Sequence, residues 1–132
     1  MIKKFDHVGL AVTNTDEVVA LLSKLFGFEV AESREEAAAG FKSTLISSAE
    51  VTLELIQPVG PQGMIQKFIE KRGGGLHHIS IQVDDLDADM KRLKALGVQF
   101  ASEEAAQVDG CRVIFIHPRS ANGLLIELIQ RN

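Results

Sequence analysis

Two stretches of strict apolar and polar alternation frame the chain. Over residues 5–12, Val8, Leu10 and Val12 fall on one side and His7, Gly9 and Ala11 on the other; over residues 76–83, Ile79, Ile81 and Val83 oppose His78, Ser80 and Gln82. A period of two is that of a β-strand with one face on a core and the other toward polar surroundings. A helical pattern follows each. Asn14 is placed to cap a helix with Glu17 at its third position, and Val18, Leu21, Leu22 and Leu25 form an apolar stripe that stops at Gly27. Asp84 and Asp85 open the second helix, with Leu86, Met90, Leu93 and Leu96 on one side and Gly97 as its stop. Three strand-like stretches follow each helix: residues 28–34, 41–48 and 50–57, then 98–102, 111–117 and 123–130.

Residues 58–75 read as a connector. A helix is predicted from near Pro61, with Met64, Ile65, Phe68 and Ile69 on one face, running into the triplet Gly73 to Gly75. That triplet lacks the Lys-Ser/Thr pair of a phosphate loop and leads into a strand, so it reads as a linker. The order of elements therefore occurs twice. His7 recurs as His78, Gly27 as Gly97 and Glu54 as Glu127 at a nearly constant offset, and LELIQ at 53–57 matches IELIQ at 126–130 in all but the first letter. An internal duplication explains this. The expected fold is α+β: two tandem βαβββ modules, the first about 1–57 and the second about 76–132, within a single domain 1–132. Their eight strands would form a curved mixed sheet, a half-barrel around a polar-lined hollow, with the helices outside.

Composition narrows the function. A chain of 132 residues fits one domain and buries roughly two thirds of its unfolded surface without disulfides. The lone Cys111 and the lack of a leader pattern point to a reducing cytoplasm. Apolar runs fall well short of the ~20 residues of a membrane span. A net charge of −4 with no Trp or Tyr gives nucleic acid nothing to bind.

The remaining chemistry concentrates in four residues. Glu54 alternates with Val51, Leu53 and Leu55 and so points away from the core side, whereas Glu127 lies among Leu124 to Ile129, apolar on both faces, and is expected to be buried. A buried carboxylate needs a partner. Each half thus offers one histidine and one glutamate at equivalent positions, His7 with Glu54 and His78 with Glu127. Two imidazoles and two carboxylates suit zinc, cobalt, nickel, manganese or iron, and leave two positions of an octahedral ion open. The plainer readings are hydrogen-bonded core histidines and a duplicated relic; four coincident positions favour the metal. His77, on the face of Ile79 and Ile81, reads as packing or orienting His78, and His117, before Pro118, as structural or substrate-contacting.

DHVGLAV at 6–12, GGGLHHISIQVDDLDADMKRLKALGV at 73–98 and FIHPRSANGLLIEL at 115–128 resemble the vicinal oxygen chelate superfamily, which includes glyoxalase I, extradiol dioxygenases and antibiotic-resistance proteins. Within it they look most like the methylmalonyl-CoA epimerases. The resemblance implies a divalent metal, cobalt foremost, held by His7, His78 and Glu127, with Glu54 at a fourth position that is Gln or Glu in relatives. It also implies an acyl-CoA substrate, a homodimer, and epimerisation through a metal-stabilised enediolate, with Glu127 and Glu54 as catalytic proton carriers. One departure is Ser43, where some epimerases carry a glutamate; it leaves the second base open. Leu21 and Leu22 replace an aromatic pair of relatives and read as core packing. Lys67, Lys71, Arg72 and Arg119 are candidates for the CoA phosphates. Glyoxalase I shares the His/Glu set, and a metal-free module that sequesters a small molecule is the reading from a different class.

Overall fold

The computed structural model describes residues 2–132. Two compact units make up the chain: His7–His77, and the amino-terminal residues through Asp6 together with His78–Asn132. Strands β1 (Ile2–Ala11) and β5 (Gly75–Val83) contribute residues to both.

In the His7–His77 unit, β1 leads to α1 (Thr15–Phe26), β2 (Glu29–Glu36), a 3-10 turn at Ala37–Ala39, β3 (Phe41–Ser48), β4 (Val51–Pro58) and α2 (Met64–Arg72). The strands lie in the order β2-β3-β4-β1, with β1 parallel to β4 and the other pairs antiparallel. The ends of α1 are set locally as the sequence predicts. The Asn14 side chain accepts the Glu17 amide at 3.1 Å, and Gly27 closes the helix at φ 72°, a conformation that costs a side chain dearly.

The buried stripe of α1 differs from the one predicted. Val18, Val19 and Leu22 pack on the buried cluster of Phe28, Ile46 and Leu55, which Leu10, Val12 and Leu53 also flank, whereas Leu21 and Leu25 are 53% and 54% exposed. The cause lies at the first turn. The Thr15 amide donates to Oε1 of Gln57 on β4 at 2.8 Å, which fixes the rotation of the helix about its axis and buries Thr15. The connector helix α2 sets Ile65, Phe68 and Ile69 against Ala11, Ile56 and Phe41, while Met64, predicted to share that face, is exposed. Ala11 alternates in step with His7, and Ile56 with Glu54, so α2 covers one end of the strand face that carries those two residues. Its approach is fixed by a close crossing: a Cβ on Gly40, whose φ is 80°, would stand 2.5 Å from the Gln62 carbonyl oxygen.

In the other unit, β5 leads to α3 (Leu86–Ala95), β6 (Ala106–Val108), β7 (Cys111–Ile116), a 3-10 turn at Pro118–Ser120 and β8 (Ile126–Gln130). The order is β6-β7-β8-β5, with β5 parallel to β8. The α3 start repeats the α1 device: Asp85 accepts the Ala88 amide at 3.0 Å, and the Leu86 amide donates to Oε1 of Gln130 at 2.7 Å. Leu86 and Met90 pack with Val83, Ile114 and Leu128, whereas Leu96, predicted for the same side, is exposed at the helix cap. Asp87 takes two contacts from Arg112 of β7, at 2.8 and 3.1 Å, and the hydrogen-bonded guanidinium holds its carboxyl below the usual range.

Two strand boundaries also differ. Residues 98–102 make a single bridge, Phe100 to Ile116, because Phe100 turns into the core beneath α3; the sixth strand is instead Ala106–Val108. The last strand starts at Ile126, since the amide of Gly123 folds back to the Pro118 carbonyl at 2.8 Å. The strand-helix-three-strand order of both halves, and with it the α+β class, is as expected.

Candidate active site

Strand register brings His7 and Glu54 together. β1 and β4 run parallel with Gly9 opposite Glu54, so His7, two residues earlier on the same face, is the next side chain along. Nε2 of His7 stands 3.4 Å from Oε1 of Glu54, and the residues are 5% and 9% exposed. The other carboxylate oxygen, Oε2, accepts the Ser43 hydroxyl at 2.7 Å. Ser43 reaches it diagonally from β3, where Leu45 is the residue directly opposite Glu54.

The second unit builds the same pattern from β5 and β8. Ser80 pairs with Glu127, which places His78 two residues before it on the same face. The Ser80 hydroxyl donates to Oε1 of Glu127 at 2.7 Å, with Ser80 fully buried and His78 and Glu127 nearly so. Phe115 faces Glu127 across β7 and β8, and its ring meets His78 edge to face at 5.6 Å. The burial foreseen for Glu127 is therefore present, as is the polar parity of both histidines.

The surroundings sort the other candidates. Asp6, next to His7, receives a two-pronged guanidinium from Arg131 at 2.8 Å through both oxygens, which anchors the strand ahead of the histidine. His77 packs its ring edge to face on Phe68 of α2 at 4.9 Å, with the Arg72 guanidinium 5.7 Å from the same ring. His117 caps the 3-10 turn, its Nδ1 accepting the Arg119 amide at 3.0 Å. Lys67, Lys71, Arg72 and Arg119 are all exposed. The serine donors are what sequence reading missed. Ser80 was signalled by its alternation with His78, whereas Ser43 needed the hairpin register.

The donors fit a divalent ion. In each half an imidazole and a carboxylate share one buried strand face, and nitrogen with oxygen ligands is what zinc, cobalt, nickel, manganese and iron accept. The 3.4 Å between His7 and Glu54 is longer than a strong charge-assisted hydrogen bond, a spacing consistent with two ligands of one ion. No helix among the described residues is long and apolar enough to cross a membrane.

A doubled strand-helix-three-strand unit carrying this pair in each half defines a class, and residues 6–115 match it: the chain belongs to the Glyoxalase/Bleomycin resistance protein/Dioxygenase superfamily. Among its relatives, an ethylmalonyl-CoA/methylmalonyl-CoA epimerase of Cereibacter sphaeroides is 34% identical, over 98% of this chain and 99% of that one. The crystal structure of methylmalonyl-CoA epimerase from Mycobacterium tuberculosis is 30% identical and superposes with a TM-score of 0.92 over 99% of this chain and 89% of its own. A Streptomyces coelicolor methylmalonyl-CoA epimerase in complex with 2-nitronate-propionyl-CoA is 26% identical, with a TM-score of 0.89 and 99% of each chain covered.

Proposed function

We propose that this enzyme epimerises methylmalonyl-CoA, or a close 2-substituted malonyl thioester, by moving the α-proton with a divalent metal at the site. The observation that carries the reading is the buried histidine and glutamate set at matching positions in both halves; the named activities of the relatives point the same way. His7, Glu54, His78 and Glu127 would hold the ion, cobalt by family resemblance. When bound, it supplies Lewis-acid stabilisation for the negative charge that grows on the thioester oxygen as the α-proton leaves.

The chain's own carboxylates do the rest. Inverting a carbon requires a proton to leave one face and another to arrive on the opposite one, so two acid-base groups are needed; Glu127 and Glu54 are assigned those roles. Their burial keeps bulk water from quenching the carbanionic species. Lys67, Lys71, Arg72 and Arg119, all exposed, are assigned as candidate contacts for the CoA phosphates. We place the protein, as a homodimer, in the cytoplasm.

Incubating one epimer with the metal-loaded protein in D2O is expected to introduce deuterium at the α-carbon, and a chelator is expected to stop it. No incorporation by the loaded protein would sink the reading. Lactoylglutathione formed from methylglyoxal and glutathione instead would move the assignment to glyoxalase I.

A further inference from the structure

The two glutamates occupy equivalent places, yet each is tied back by a serine from a different place. Glu54 is held by Ser43, on the strand that follows α1 and β2; Glu127 is held by Ser80, on the strand that carries its own histidine. Register identifies the counterparts. Gly9 faces Glu54 as Ser80 faces Glu127, and Leu45 faces Glu54 as Phe115 faces Glu127, so Val113 stands where Ser43 would be. Simple inheritance from one ancestral half would leave the serine at one position in both. Instead the hydroxyl sits on opposite flanks of the carboxylate, at the same 2.7 Å. Both serines are among the most deeply buried side chains of the chain, at 2% and 0% exposure, where a hydroxyl is retained only if it is bonded.

We propose that Ser43 and Ser80 are positioning residues, each holding one oxygen of its glutamate so that the other oxygen is presented to the metal in a fixed direction. This rests on the metal-holding role proposed above for Glu54 and Glu127. In the first half the geometry shows the division of labour: Oε2 goes to Ser43 while Oε1 is turned toward Nε2 of His7. A carboxylate so tied binds an ion through one oxygen, and its rotation about the terminal torsion is stopped.

The test uses Co2+ with the full-length, metal-stripped chain, read by competition with a chromophoric chelator and by the visible absorption of the bound ion. Wild type is expected to take up about one ion per chain, and Ser43→Ala and Ser80→Ala each to weaken binding about ten- to a hundredfold and to alter the Co2+ bands. Ser43→Thr, which keeps the hydroxyl, should restore wild-type affinity and spectrum. Ser43→Val, matched in shape to Ser43→Thr but without the hydroxyl, and Ser80→Gly are measured alongside in case an alanine variant does not fold. Unchanged affinity and spectrum in these hydroxyl-free variants, with only a lower melting temperature of the metal-free protein, would reduce the serines to structural residues and leave the proposed function standing. A wild type that takes up no Co2+ overturns the metal-holding reading itself, and this inference with it.

Discussion

Gln57 and Gln130 end the two matching pentapeptides, and each spends its side-chain oxygen on the first free amide of a helix, Thr15 in one half and Leu86 in the other. A helix start has four amides with no partner inside the helix, and here an adjoining strand supplies one from 42 and 44 residues away. Replacing either glutamine by leucine is expected to destabilise the protein by about 1–3 kcal/mol, because the amide is left without an acceptor in a partly buried place. Urea unfolding reads this, and an unmoved midpoint in Gln130→Leu would mean that water takes over the bond. In the sequence these glutamines are visible only as repeated letters. Common ancestry explains the repetition equally well, and nothing local says that a residue at the end of a strand caps a helix. Ser43 hides for the same reason, since its bond to Glu54 depends on which hairpin residues face one another.

The parities of His7, His78 and Glu54 were legible because alternation is a local property of a strand, independent of what it pairs with. Helix faces are less determinate. On α1 two stripes compete at the same spacing, Val18-Leu21-Leu22-Leu25 and Thr15-Val18-Val19-Leu22, and the amide bond to Gln57 selects the second. Leu22→Ala should therefore cost about 2 kcal/mol, and Leu21→Ala, at a half-exposed position, within about 0.5 kcal/mol. Denaturant titration of both variants checks it; equal losses would restore the stripe predicted from the sequence. Strand β6 shows the opposite limit. The segment around Phe100 has strand-like composition, but its aromatic ring is spent on the core under α3, and the hydrogen-bonded pairing passes to the more polar Ala106–Val108.

At the scale of the whole chain the duplication was the most legible feature, because it repeats caps, glycine stops and pentapeptides together, and consistent signals at several levels seldom agree by chance. A metal bound by the native state alone adds stability by mass action, about 2.7 kcal/mol at a hundredfold excess over its dissociation constant. Stripping the ion from protein held at that excess should lower the melting temperature by on the order of 5–10 °C for a chain of this size. Scanning calorimetry before and after chelation and dialysis measures the shift, and identical curves would count against an ion shared by buried glutamates.

The division of the chain also bears on the order in which it can be assembled. His7–His77 is a single unbroken stretch, whereas its companion draws on residues through Asp6 and on His78–Asn132. On a ribosome the first can close as soon as α2 and the start of β5 have emerged. The opening residues of β1, made before that stretch, belong to the unit completed after it: Asp6 must wait for Arg131, 125 residues further along, to take up its guanidinium contact.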